Sequence, residues 1–552
     1  MLKIFSQVKT RLKPISLSRF NFIIAAWLAL ALNFTFYQQS LHYADLTGAH
    51  SAIFAIGLGL VLTLYYFIFM QILSWQWNKK WIACLLLFIG GCSAYFVNSM
   101  GIMITPEQIQ NMMQTDHTEA LNLLSWQYLV WFVLMVVLPI GVVIILPVKK
   151  DTLLPLLGKK FGSIIVAVAL AGGAVYLNYI NFSSLFRGHR EVKNLISPNN
   201  VFSSGLSYYK KLSYKPLPLL QYGLDARHNT AATVNQKPKL MVLVVGETAR
   251  AESFSLNGYG KNTNPELAKV TGLINFTQAS SCGTATAVSV PCMFSGMPRT
   301  EYDERLASHR EGLLDIAKRA GYQITWIEND SGCKGVCNRV NNFVIPDDIK
   351  KKYCENRDYC LDGVLLESLQ RYLEQIPATD HRPQLVVLHQ IGSHGPAYYQ
   401  RTTPEFAPFQ PICDTTAIQS CERSKLINSY DNSIVYTDHI LSKIIGVLAQ
   451  NDKYQTGFWY LSDHGESTGE NGLYLHGAPY ALAPSQQTHI PMMMWFSPEW
   501  QRSRPQQVAC LMQQRQAKRG QDNLFPTLLG LLDVESQTIQ PKLNMLAQCA
   551  NP

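Results

Sequence analysis

Apolar residues dominate the first third of the chain in five runs, at about 20–39, 52–75, 81–103, 128–148 and 161–180. Each run supplies the ~20 residues that a helix needs to cross a bilayer, so five membrane-spanning helices are predicted within residues 1–180. Residues 181–235 have weak periodicity and scattered Pro and Ser, and read as a surface-lying linker with short helices. From Lys239 the pattern changes again. Short apolar runs at 240–245, 323–327, 384–389 and 457–461 alternate with helical patterns such as 313–320. Buried strands alternating with helices predict an α/β domain over 236–552, its sheet covered on both faces. Sheets of this kind place ligands at the carboxyl ends of their strands.

Charge gives the membrane third its orientation. The amino-terminal tail carries Lys3, Lys9, Arg11, Lys13 and Arg19; the second connection carries Lys79 and Lys80; the fourth carries Lys149, Lys150, Lys159 and Lys160. The loops at 40–51 and 104–127 contain no Lys or Arg. By the positive-inside rule the amino terminus is cytoplasmic and everything after residue 181 lies outside. The first run also resembles a cleavable signal peptide with Ala29-Leu30-Ala31 as its cleavage site. Its apolar character continues through Phe34 and Phe36, which favours a retained anchor.

Composition follows the same division. Charged residues make up 15% of the chain, and 16 of the 85 fall before residue 181. The net charge of +9 splits into +6 before that point and +3 after it, which leaves no basic domain for nucleic acid. An aromatic content of 11% excludes a chain too polar to fold.

The loop after the third run has a helix start, with Thr105 as cap, Pro106 in the first turn and Gln108 as capping-box partner. On that helix Asn111, Thr115 and Glu119 recur at spacings of four, a face suited to a polar lipid headgroup. A competing reading gives Asp116 and Glu119 to the capping box of a second helix.

Ten of the 12 cysteines lie in the α/β domain: Cys282, Cys292, Cys333, Cys337, Cys354, Cys360, Cys413, Cys421, Cys510 and Cys549. An even count in an exported domain predicts disulfides rather than thiolate metal sites. Sequence order suggests 282 with 292, 333 with 337, 354 with 360 and 413 with 421, leaving 510 with 549.

Candidate chemistry clusters at strand ends. The run at 240–245 leads into Gly246-Glu247-Thr248, that at 457–461 into Ser462-Asp463-His464-Gly465, and that at 384–389 to Gly392-Ser393-His394-Gly395, with His476 following in Tyr474-Leu475-His476-Gly477. Carboxylate and imidazole beside glycine are what a zinc site uses, although spacing in sequence does not establish convergence in space. Between them, residues 281–292 form a hydroxyl-rich turn braced by Cys282 and Cys292. A nucleophile at a helix start there would have backbone N–H groups to hold a phosphoryl group. Thr284, Thr286 and Ser289 are equal candidates on these grounds.

The motifs GETAR from Gly246, SCGTATAVSVPCMFS from Ser281, GCKGVC from Gly332, GSHGP from Gly392, SDHGES from Ser462 and LYLHG from Leu473 resemble those of inner-membrane phosphoethanolamine transferases, especially those modifying lipid A and including the mobile colistin-resistance enzymes. The resemblance covers nearly the whole chain. It implies five membrane helices, a linker and a periplasmic domain of the alkaline phosphatase and sulfatase superfamily, acting as a monomer. It further implies Thr286 as nucleophile, joined by Glu247, Asp463 and His464 around one Zn2+, with His394, His476 and Lys334 facing the transferred group. Asn111, Thr115 and Glu119 match the positions for the phosphatidylethanolamine headgroup. The implied reaction moves phosphoethanolamine from phosphatidylethanolamine to a lipid A phosphate, lowering surface charge and with it susceptibility to polymyxin. The alternatives are a sibling enzyme acting on core sugars or periplasmic glucans, and a non-catalytic membrane sensor. A sulfatase lacks support because no Cys-x-Pro-x-Arg occurs. One departure is Gln521, where many members have His before the Asp522-Asn523-Leu524-Phe525 motif.

Overall fold

The computed structural model describes residues 13–115, 117–213, 217–229, 236–355 and 359–547, except for the side chains of 117–119. It comprises two compact units, one of Met1–Ile109 with Leu124–Ser213, the other of Gln110–Leu123 with Tyr214–Pro552.

Among the described residues the first unit holds four helices long and apolar enough to span a membrane, Gly48–Leu73, Lys79–Met100, Trp126–Ile145 and Leu153–Leu177. A helix pair, Leu17–Ala31 with Phe34–Ala44, bends by 60° and brings the total to up to five spans when the pair is taken as one crossing. The bend was not anticipated for the run at 20–39. Asn33 sits at the break, donating to the carbonyls of Leu28 at 2.7 Å and Ser197 at 3.0 Å and accepting from Ser197 N at 2.7 Å. Its amide thereby satisfies backbone groups that an interrupted helix leaves open in a medium without water. The last span begins at Leu153 rather than 161, and so takes in Lys160. That side chain is buried, with Nζ donating to the Gln71 carbonyl and lying 4.2 Å from the centre of the Trp75 ring. These contacts let a lysine enter a helix end that charge alone would exclude.

Residues after 180 continue as helices Tyr179–Gly188 and Asn199–Leu212 with a 3-10 turn at Arg190–Leu195 between them. Phe182, Leu185, Val192 and Leu195 are buried in the same apolar cluster as the spans. The boundary between units falls at Ser213, inside the segment read as a linker.

The second unit is built on an eight-stranded sheet. Its strands are β1 Lys239–Gly246, β2 Ile274–Ser280, β3 Gln323–Glu328, β4 Asn341–Asn342, β5 Gln384–His389, β6 Gln455–Ser462, β7 His489–Phe496 and β8 Arg519–Gly520. They lie in the order β8-β2-β7-β6-β1-β5-β3-β4. All neighbours pair parallel except β7, which is antiparallel to both β6 and β2. Every residue of β1 is buried, as a central strand covered on both faces requires. Met241, Leu243 and Val245 pack with Val290, Leu313 and Leu528 in one core, while the alternate Leu240, Val242 and Val244 are equally buried.

Four disulfides, Cys282–Cys292, Cys333–Cys337, Cys354–Cys360 and Cys413–Cys421, match the pairs suggested by sequence order. Cys510 is also disulfide-bonded, and Cys549 lies outside the described residues.

Candidate active site

Strand register assembles the site. In the parallel centre Gly246 stands opposite Ser462, Val245 opposite His389, and His389 opposite Glu328. The residues that follow these strands therefore emerge at one edge. The amide of Asp463 donates to the Gly246 carbonyl at 2.8 Å, and Ser393 N donates to the Glu247 carbonyl at 3.1 Å. Gly392 allows the second approach: its φ is +52°, and a Cβ there would lie 2.5 Å from the Glu247 carbonyl oxygen.

Helix α1, Thr286–Ser295, starts against this edge. The three hydroxyls of its turn have different partners. Thr284 donates to the Ala478 carbonyl at 2.6 Å, and Ser289 accepts from Gly283 N at 2.9 Å. Thr286, in the first turn, donates to Glu247 Oε2 at 3.2 Å and has His464 Nε2 at 3.4 Å.

Glu247, Asp463 and His464 are fully buried, and one ligand atom from each lies within 4.8 Å of the others. His464 Nδ1 is 2.9 Å from the Gly465 carbonyl, so this nitrogen carries the proton and Nε2 presents its lone pair to the carboxylates. It stands 3.5 Å from Glu247 Oε1 and 3.2 Å from Asp463 Oδ2. Neither oxygen has a hydrogen-bond partner among the described residues, whereas Asp463 Oδ1 accepts from the backbone of Thr248 and His464. Burial, and after it the neighbouring Asp463, pushes the Glu247 carboxyl well above its ordinary range. Two anionic donors and an imidazole nitrogen converging on buried, unpartnered atoms fit a divalent cation of the zinc type.

Imidazoles flank this cluster. The His476 ring centre lies 4.4 Å from that of His464 and 5.4 Å from that of His394. Burial, then the proximity of His476, holds both His394 and His464 well below the usual imidazole range. His476 Nδ1 is 3.1 Å from Glu466 Oε2, and Tyr398 donates to Glu466 Oε1 at 2.9 Å. Glu466, inside the SDHGES motif, was not singled out from sequence. Only the fold brings it behind His476.

Lys334 has φ +50° in its disulfide-closed loop and donates to the carbonyl and hydroxyl of Ser331 at 3.0 and 2.8 Å. It lines a cavity of about 240 Å³ together with Ala287 and Pro291 of α1 and Gln110 and Gln114 of the helix Pro106–Gln114. That helix has the predicted cap, with Gln108 N donating to Thr105 Oγ1 at 3.2 Å. Thr115 follows it and donates to the Asn111 carbonyl at 2.7 Å. The side chain of Glu119 lies outside the described residues.

Gln521 occupies the position of the departure noted above. Its Oε1 accepts from Cys282 N at 2.7 Å, and its Nε2 donates to the carbonyls of Ser462 and Asp463 at 2.8 and 2.6 Å. The amide ties the hydroxyl-bearing turn to the strand end that carries Asp463 and His464.

Comparison with known proteins follows the same division of the chain. The family model described as Phosphoethanolamine transferase EptA/EptB matches residues 62–212, and that described as Sulfatase matches 239–534. Phosphoethanolamine transferase EptA of Escherichia coli K12 is 39% identical over 547 residues, covering 98% of this chain and 99% of the relative. Phosphatidylethanolamine transferase Mcr-1 of Escherichia coli is 33% identical over 539 residues, 94% of this chain and 95% of the relative. Among solved structures, the integral membrane lipooligosaccharide phosphoethanolamine transferase A of Neisseria meningitidis superposes with a TM-score of 0.92 at 36% identity, covering 98% of this chain and 100% of that one.

Proposed function

Because the chain belongs to the EptA/EptB-type phosphoethanolamine transferases, we propose that it transfers phosphoethanolamine from phosphatidylethanolamine to a phosphate of lipid A through a phosphorylated Thr286. The observation that carries the reading is that, of the three hydroxyls in the turn, Thr286 is the one facing Glu247 and His464. The reading of the two lipids is supported by relatives called a phosphatidylethanolamine transferase, Mcr-1, and a lipooligosaccharide phosphoethanolamine transferase, the Neisseria enzyme. The protein is a multi-pass inner-membrane protein with its α/β domain in the periplasm.

In the first half-reaction Thr286 Oγ1 attacks the donor phosphorus, its proton leaving toward Glu247 Oε2, the acceptor of its hydrogen bond. The bond to the diacylglycerol oxygen breaks, and that oxygen takes up a proton. Backbone N–H groups at the start of α1 hold the phosphoryl oxygens. In the second half a phosphate oxygen of lipid A attacks the same phosphorus and Thr286 Oγ1 leaves. Glu247, Asp463 and His464 would hold Zn2+, which supplies positive charge to the threonine oxygen and the phosphoryl group. His394 and His476 serve proton transfer, and His476, with Nδ1 held by Glu466, has its basic nitrogen at Nε2. Asn111, Thr115 and Glu119 engage the donor headgroup, and Lys334 the transferred group.

Glu466 acts here as a positioning residue. Glu466→Gln should lower kcat by about 10- to 100-fold with KM little changed, as loss of a group orienting an imidazole does. Glu466→Asp should recover part of kcat, and equal loss in both variants would mean that only packing matters. The function itself is tested by mass spectrometry of lipid A from cells with and without the gene. A phosphoethanolamine increment on lipid A, dependent on the gene, is expected; an increment found only on core sugars or glucans would overturn the acceptor.

A further inference from the structure

A second group of ligand-type atoms adjoins the first. Glu247, Asp330 and His389 each offer one ligand atom within 4.8 Å of the others, and Glu247 belongs to both groups. His389 closes β5 and its side chain is fully buried. Its Nδ1 is 2.9 Å from Glu328 Oε1, and Glu328 is itself fixed by Trp326 Nε1 at 2.8 Å and Asp330 N at 2.7 Å. With Nδ1 tied to a carboxylate, Nε2 becomes the atom aimed into the cluster, the arrangement common to histidines that bind metals. Nε2 has no hydrogen-bond partner among the described residues, and Asp330 Oδ2 stands 3.7 Å away. Asp330 Oδ2 also accepts from Ser331 Oγ at 3.2 Å.

Charge sharpens the question. Glu247, Asp330 and Asp463 are buried together, and among the described residues no lysine or arginine makes an ion pair with any of them. One cation held by Glu247, Asp463 and His464 leaves Asp330 as a further buried carboxylate at the same edge, with His389 and the more distant Lys334 as the positive groups near it. Buried carboxylates are retained when they are paired or bind metal. A glutamate with one oxygen toward Thr286 and the other without a hydrogen donor is placed to bridge two ions.

We infer that Glu247, Asp330 and His389 hold a second divalent cation, sharing Glu247 with the site at Asp463 and His464. One imidazole nitrogen with carboxylate oxygens suits zinc or manganese better than magnesium. Its effect would be to fix the orientation of the Glu247 carboxylate beside Thr286. The inference rests on the proposed active site only in that Glu247 is common to both. A proton on His389 is the competing occupant.

Zinc counting on the full-length protein in detergent distinguishes them. A His394→Ala/His476→Ala background removes the neighbouring imidazoles, and the protein is stripped with chelator, reloaded with zinc, desalted and analysed by elemental mass spectrometry. About two zinc ions per chain are expected, falling to about one in His389→Ala and, separately, in Asp330→Asn. His464→Ala should also fall to about one, and His389→Ala with His464→Ala together to about none. Asp330→Asn, nearly isosteric, decides the matter should His389→Ala not fold. A parent count of one, unchanged by His389→Ala and Asp330→Asn, overturns the second site and leaves the proton on His389. A parent count of two that His464→Ala leaves intact would instead refute the first site.

Discussion

Thr286→Ala, incubated with phosphatidylethanolamine and no acceptor, is expected to release no diacylglycerol and to carry no phosphoethanolamine mass. The unaltered enzyme should release about one equivalent in a burst and retain the added mass on the peptide containing residues 281–292, the signature of a covalent intermediate. Turnover should fall by at least about 10⁴-fold, the scale seen when a nucleophile is removed and only binding and electrostatic groups remain. Thr286→Ser keeps the oxygen but loses the methyl group that stiffens the rotamer, so a reduced burst is expected. Thr284→Ala is the control for the neighbourhood, because that hydroxyl donates to the Ala478 carbonyl and not to the cluster. It should retain the adduct. Mapping of the added mass to Thr284 or Ser289, or single-turnover transfer without any adduct, would contradict the assignment.

The parts of this architecture that composition controls were legible in the sequence. Apolar runs of bilayer length gave the spans, and short apolar runs gave β1, β3, β5 and β6, because burial on both faces of a parallel sheet leaves little choice of residue. Departures arose where a single polar side chain overrides the run. Asn33 replaces helix hydrogen bonds and permits the bend, and the contacts of Lys160 extend the last span toward the amino terminus. In the site, motifs identified Glu247, Asp463, His464 and the hydroxyl-rich turn. Distances could not follow from spacing. Thr284 and Thr286 are two residues apart, and which of them faces the carboxylates depends on where α1 begins and on the Ala478 carbonyl arriving from nearly 200 residues downstream. Asp330 and His389 stood outside every motif read for chemistry. They reach Glu247 through the register of β3, β5 and β1, which is set by the sheet as a whole.

Loss of the metal is expected to separate chemistry from folding. Asp463→Asn and His464→Ala should each bind one zinc ion fewer than the parent and lose about 10³-fold or more in turnover, since both the threonine oxygen and the phosphoryl group lose their principal positive charge. The α/β fold should persist, because the core of β1, β5 and β6 is apolar and four local disulfides brace the surrounding loops. Stability should nonetheless report the ion. A ligand that binds only the folded state at about 100 times its Kd stabilises it by roughly 2.7 kcal/mol, so chelation should lower the Tm of the α/β domain in the unaltered protein. In His464→Ala the part of that shift due to the first ion should already be absent, and chelation should lower Tm by less. In Glu247→Ala, whose side chain serves both groups, chelation should leave Tm nearly unchanged. Equal zinc content and equal chelation shifts in His464→Ala and the parent would place the ion elsewhere and remove the basis for the chemistry assigned to this strand edge.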